Sequence, residues 1–277
     1  MTGDAAFVMA APNGARRSKA DHPNLPLSPA ELAEEAVRCR DAGAAALHMH
    51  VRDDDGAHSL SPDLYRAAID TVRQSVGDGL VLQITTEAVG RFTSQEQMET
   101  VRAVKPEAVS VALRELLPGG EADGPVRDFF AWMHSAGIWA QVILYDHADV
   151  ERFLELELSG LFAARHPSVL LVLGRYTPGQ RSEPSDLDPL LDALAPLRPS
   201  VIWSVCAFGP KENACIARAF AEGGHGRVGF ENNLYLPDGR LADHTSDLVA
   251  LAAAAARDAG QSVMDAAALR KAFATWL

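Results

Sequence analysis

Residues 28–53 read SPAELAEEAVRCRDAGAAALHMHVRD, and they carry two periodicities back to back. The first half predicts a helix over 29–42. Ser28 can cap it, Pro29 sits where a missing N–H costs nothing, and Glu31 completes a capping box. Gly43 ends it. The second half, 45–51, is a short, nearly continuous apolar run, as expected of a strand covered on both faces. Side chains alternate along a strand, so His48 and His50 point the same way.

The same unit recurs outward from this stretch. Further strands are expected at 5–10, 79–84, 107–113, 139–145, 168–173, 200–205 and 226–230. Helices are expected at 62–75, 93–104, 125–136, 148–162, 186–196, 210–222 and 243–259, with a final one at 264–275. Eight strands each followed by a helix suit a closed barrel better than a doubly wound open sheet, which usually stops at five to seven strands. The expectation is one (β/α)8 TIM-barrel domain over 1–277 with an extra C-terminal helix.

Composition sets limits on partners. Hydrophobic residues make up 48% and charged residues 22%, an ordinary globular balance. A net charge of −12 argues against nucleic acid and anionic membrane, both of which need basic patches. Cys39, Cys206 and Cys215 match no zinc-ribbon or C-x-x-C spacing and suit free thiols in a reducing cytoplasm. The N-terminus lacks the layout of a signal peptide, and the alanine-rich run 248–256 is too short to span a bilayer. A cytoplasmic protein is expected.

Chemistry gathers at the strand exits, the active-site face of such a barrel. His48 and His50 make a bidentate metal platform at the end of the second strand. Glu231, sharing parity with Arg227 and Gly229 at the eighth strand, can supply a third ligand, because the second and eighth strands flank the first. Two imidazoles and a carboxylate leave a coordination position open, the catalytic pattern. A pair of core histidines and an Arg227–Glu231 salt bridge are the alternatives. Arg16, Arg17 and Lys19 on the first loop could hold a carboxylate or phosphate, or simply be a solvated basic loop. Thr85 and Thr86 could bind a substrate carboxylate or a forming oxyanion, and Glu87 could act as a base or as a salt-bridge partner. Ser110, Tyr145 and Arg175 are weaker candidates. Cys206 lacks a histidine base in sequence and reads as a buried, inert thiol.

Several segments together resemble the β-keto acid cleavage enzyme family: APNGARRSK (11–19), LPLSPAELAEEA (25–36), AGAAALHMHVRDDDG (42–56), Gln83-x-Thr85-Thr86, VLGRY (172–176) and GGHGRVGFENNLYLPDGRLA (223–242). The resemblance implies one Zn²⁺ on His48, His50 and Glu231. It also implies reaction of a β-keto acid with acetyl-CoA, giving acetoacetate and a new acyl-CoA, in a homo-oligomer expected to be a tetramer. The metal would take the keto and carboxylate oxygens and stabilise charge on the ketone oxygen. Arg227 matches an arginine that assists the chemistry. Thr85 stands where the family has a serine contacting the substrate carboxylate, and Ser110 where it has a threonine.

Four positions depart from the family pattern in ways that bear on the chemistry. Asn232 replaces an acid/base aspartate, and an amide cannot take up a proton at neutral pH. Glu87, in place of a glycine, is the substitute base. Arg16 replaces a glutamate that reads a substrate amino group, and Ile143 replaces another glutamate. Both changes favour a non-aminated, anionic keto acid. Two other readings compete: a CoA-independent metal-dependent lyase or retro-aldolase on the same barrel, and a catalytically altered metal- and ligand-binding homologue.

Overall fold

Eight short strands, each nearly all buried, pair in parallel around a closed ring in the computed structural model, which describes residues 5–119 and 124–277. They are β1 (Val8–Ala10), β2 (Ala46–Met49), β3 (Val81–Thr85), β4 (Ala108–Ala112), β5 (Trp139–Leu144), β6 (Ser168–Leu173), β7 (Ile202–Ala207) and β8 (His225–Val228). β8 pairs with β1 and β1 with β2, so the strands bearing Glu231 and the two histidines flank one neighbour. Around the ring lie α1 (Pro29–Asp41), α2 (Pro62–Val76), α3 (Ser94–Val104), α4 (Gly124–Ser135), α5 (His147–Leu158), α6 (Asp188–Leu194), α7 (Glu212–Ala221) and α8 (Thr245–Asp258), followed by α9 (Ala266–Trp276). The (β/α)8 barrel expected from the alternation is the observed fold. Among the described residues no helix is long and apolar enough to cross a membrane.

Local chemistry sets the helix starts. Ser28 accepts the Glu31 N–H while the Glu31 carboxylate reaches back to the Ser28 N–H, and Thr93 with Glu96 repeats the device at α3. Such a cap is worth about 1 kcal/mol.

The strands differ from the sequence expectation in three places. The run 5–10 divides: Ala5–Ala6 pairs with Ser262–Val263 outside the barrel, and only Val8–Ala10 joins the ring. The run 45–51 stops at Met49, after which Val51–Arg52 turns away to pair antiparallel with His58–Ser59. β8 ends at Val228, short of Glu231. A short helix, Leu113–Leu116, follows β4 without having been anticipated.

The two ends of the ring are filled differently. At the amino end Phe7, Met9, Val81 and Trp139 pack against Leu269, Phe273 and Trp276 of α9. Trp139 and Phe273 stack at 5.7 Å with planes 10° apart. The carboxyl end carries a smaller apolar cluster including Ile143, Val172, Cys206 and Phe208, and opens into a cleft.

Candidate functional site

His48 lies within β2 and His50 just beyond its end, where the backbone is leaving the barrel. Asn13, on the loop after β1, clamps that departure: its Nδ2 donates to His50 O (2.9 Å) and its Oδ1 accepts the His50 N–H (3.2 Å). Glu231 arrives by a sharp turn rather than by strand parity. Gly229 has φ +140°, and a Cβ there would sit 2.5 Å from Ala11 O, so only glycine fits. The turn lets Glu231 N–H donate to Ala11 O at 3.0 Å. Gly14 leaves room beside it, since a Cβ would lie 2.6 Å from Glu231 Cγ.

These constraints bring three ligand atoms to one point. His48 Nε2 and His50 Nε2 are 3.2 Å apart, and each is 3.4 Å from Glu231 Oε2. With metal–nitrogen and metal–oxygen bonds typical of zinc, a tetrahedral ligand sphere has edges of about 3.3–3.4 Å. Glu231 Oε2 is buried and has no hydrogen-bond partner among the described residues, while Oε1 accepts from Arg227 at 2.9 Å. An orphaned, buried carboxylate oxygen facing two imidazole nitrogens fits a cation, because leaving it unsatisfied would be costly.

The protonation states suit ligation. Burial pushes His48 down to about 3, assisted by Arg227 and His50 against the opposing pull of Glu231 and Gln83. Burial alone would raise the Glu231 carboxyl, but Arg227, His48 and His50 overcome it and hold it well below the usual carboxylate range. A neutral imidazole and an ionised carboxylate are the forms that bind metal.

A cleft opens to solvent over this triad. Its wall carries four arginines (Arg16, Arg17, Arg175, Arg227) against two glutamates (Glu87, Glu231), a local excess of positive charge in a protein of net charge −12. Such a pocket concentrates anions. Glu87 Oε1 lies 3.9 Å from Arg16 and 3.7 Å from Arg175, and its other oxygen is 3.9 Å from His50 Nδ1. Lys19 turns aside to pair with Glu31 at 2.6 Å and does not line the cleft.

The remaining candidates divide. Thr85 is on the wall, its hydroxyl accepting the Glu87 N–H at 3.0 Å. Thr86 is off the wall, its hydroxyl donating to Ser110 O at 3.2 Å. Ser110, in register with Thr85, is fully buried with a hydroxyl that has no partner among the described residues. Asn232 is also fully buried and off the wall. It packs under Arg227, whose guanidinium donates to its Oδ1 at 3.5 Å. Burial pushes the Cys206 thiol up to about 11, and Arg227 donates to its sulfur at 3.4 Å.

Three residues entered no earlier reading of the site. Arg52 holds the first loop through the carbonyls of Gly14, Ala15 and Arg17. Gln83 accepts from His48 Nδ1 at 2.7 Å. Glu212, at the start of α7, accepts the Gly229 N–H at 3.1 Å and the Asn232 and Asn233 amides at 3.4 Å each. Arg52 had a local signal in the Arg-Asp pair that follows the histidines and Gln83 one in the Gln-x-Thr-Thr strand exit, whereas Glu212 had none.

A family model described as beta-keto acid cleavage enzyme matches residues 5–274. The chain is 28% identical over 262 residues to the 3-keto-5-aminohexanoate cleavage enzyme of Acetoanaerobium sticklandii, covering 93% of each chain. It is 26% identical over 271 residues to the 3-oxoadipate:acetyl-CoA acetyltransferase of Cupriavidus necator, covering 95% of this chain and 93% of that one. Among solved structures, ObcA in binary complex with oxaloacetate superposes with a TM-score of 0.75 at 20% identity, over 92% of this chain and 68% of that one. At that identity the likeness speaks for the barrel alone.

Proposed function

The chain belongs to the beta-keto acid cleavage enzyme family, and from that premise we propose that it cleaves an anionic, non-aminated β-keto acid with acetyl-CoA, giving acetoacetate and a new acyl-CoA. The observation that carries the reading is the His48–His50–Glu231 triangle at the floor of an arginine-rich cleft. The donor set suits Zn²⁺, which as a Lewis acid would stabilise negative charge on the ketone oxygen.

The overall balance is a two-carbon exchange. The carbon between ketone and carboxylate loses a proton and bonds to the acetyl carbonyl carbon, releasing the CoA thiolate. The thiolate adds to the original ketone carbon, the bond from that carbon to the central carbon breaks, and a proton returns to the acetoacetate so formed.

The chain's residues divide the remaining work. Glu87 is the carboxylate placed to move the proton, because Asn232 cannot ionise and lies beneath Arg227. Arg227 stays charged, since Cys206 and Glu231 offset its burial, and it presents positive charge to the cleft beside Glu231. Thr85 and Arg16 take the substrate, Thr85 at the carboxylate and Arg16 at an anionic tail. A relative's name gives one anionic keto acid of this kind, 3-oxoadipate.

The test is to incubate the purified protein with acetyl-CoA and a panel of cationic, neutral and anionic β-keto acids, and to read new acyl-CoA by mass spectrometry. Acyl-CoA is expected from the anionic members. No acyl-CoA from any member would overturn the reading. The buried amide at Asn232 favours a second reading, a homologue that holds metal and ligand without turning the ligand over. Saturable keto acid binding with no consumption, with or without acetyl-CoA, would select it.

A further inference from the structure

We infer that Gln83 and Gln141, neither of which is a ligand, form a positioning chain across the barrel interior that sets the tautomer of His48 and thereby the cation affinity of the site. The inference rests on the proposed metal reading and goes beyond the triad itself.

Gln83 from β3, Gln141 from β5 and Ser204 from β7 come from alternate strands, the arrangement that supplies one interior layer of such a barrel. Branched aliphatic side chains usually fill these layers. Here two amides and a hydroxyl do so, all essentially inaccessible to solvent. Burying an amide is costly unless its hydrogen bonds are made. They are made to one another in a single line: His48 Nδ1 with Gln83 Oε1 at 2.7 Å, Gln83 Nε2 to Gln141 Oε1 at 3.3 Å, and Gln141 Nε2 to Ser204 Oγ at 3.2 Å.

The line has a sense. A neutral imidazole carries one N–H, and a lone pair on Nε2 requires the hydrogen on Nδ1. Gln83 meets Nδ1 with its oxygen, so the hydrogen belongs there. Nε2 is then bare where it faces His50 Nε2 and Glu231 Oε2. If Gln83 turned over, its NH2 would face Nδ1, the hydrogen would move to Nε2, and His48 could no longer ligate. The two ends of an amide are nearly equal in size, so packing alone does not choose between them. The two amides can turn only together, because Gln83 Nε2 needs the Gln141 oxygen while Ser204 Oγ can meet either end of Gln141; in the orientation found, Gln141 offers Gln83 an oxygen and holds it in that sense. Partners of this kind typically change metal affinity ten- to a hundredfold.

Co²⁺ titration of chelator-treated protein, followed by the visible d–d absorption, tests the chain without measuring turnover. Gln83→Met is expected to weaken Co²⁺ binding about ten- to a hundredfold. Gln83→Glu keeps an acceptor for Nδ1–H in either rotamer and is expected to bind as tightly as the parent. Thermal melts of the metal-free variants report folding separately. If Gln83→Met does not fold, Gln141→Met against Gln141→Glu makes the same comparison. The first is expected to be weakened severalfold, and the second, still an acceptor for Gln83 Nε2, to match the parent. Parent-like affinity in the folded Met variant overturns the inference, as does equal weakening in the Met and Glu variants, which would mean packing. A parent that takes up no Co²⁺ overturns the metal reading and this chain with it.

Discussion

The floor and the mouth of the barrel are built from the same eight strands, yet almost nothing about them is alike. At the floor Phe7, Met9, Val81 and Trp139 meet α9 in a dry, aromatic contact. At the mouth the inward positions pass to His48, Arg227 and Thr85, and beyond them to Glu87 and Glu231. An apolar end stabilises by burial. A polar end does so only while every buried charge has a partner. The difference locates the chemistry before any ligand is considered, and it says which substitutions should trade stability for function.

The sharpest way to break the comparison is at the mouth. His48→Ala removes one of three ligand atoms. Metal content after dialysis is expected to fall from about one ion per chain to near zero, and kcat/KM by at least about a thousandfold. The fold should survive. Full metal occupancy with normal turnover would refute the ligand assignment.

The converse substitution lies at the floor. Trp139→Ala empties a site that is 1% exposed and stacked on Phe273. A loss of about 3–5 kcal/mol is expected in denaturant unfolding, with Co²⁺ affinity and kcat of the folded fraction unchanged. A variant of parent-like stability but altered metal affinity would erase the distinction between the two ends.

Two substitutions sharpen the account of the mouth. Glu87→Gln retains the shape of the side chain but cannot accept a proton, and kcat is expected to drop about a hundredfold with metal content unchanged. An unchanged kcat would return proton transfer to another group. Arg16, held only loosely by Glu87 at 3.9 Å, reaches into the cleft from an exposed loop. Arg16→Glu is expected to move relative kcat/KM toward cationic keto acids by about tenfold, an effect that shrinks with added salt. Identical rankings of the keto acids in parent and variant would remove Arg16 from substrate reading.

The barrel was legible because a strand buried on both faces must be apolar, and several helices between strands announce their start. Ser28 with Glu31 is the plainest case. The histidine pair was legible for the same reason, since period two is local. What escaped depends on distant contacts. Glu231 was assigned to the mouth by strand parity, but β8 ends at Val228 and the Gly229 turn places it, a geometry dictated by Ala11 on another strand. The helix at 264–275 was foreseen, but its role as a plug was not, because nothing near it in sequence names its partners. Thr86 was read as facing the substrate on residue type, and Asn232 was set at the site by the family pattern; backbone direction turns them inward to Ser110 and Arg227.

Glu212 gives the smallest expected effect and the finest division between the ends. Burial pushes its carboxyl up to about 8, against the Gly229, Asn233 and Asn232 N–H groups and Arg17, which favour the charged form. A carboxyl whose folded-state pKa is raised binds more protons folded than unfolded between its ordinary value and 8, so stability falls as pH rises through that window. Glu212→Gln cannot ionise. Parent and variant should therefore show similar pH slopes of stability below the ordinary carboxyl range, and the parent should lose stability relative to the variant as pH climbs toward 8. Urea midpoints measured across that range check the sign. Parallel curves would mean that the N–H groups around Glu212 already compensate its charge in full, so that the turn carrying Glu231 rests on an ionised carboxylate at every working pH.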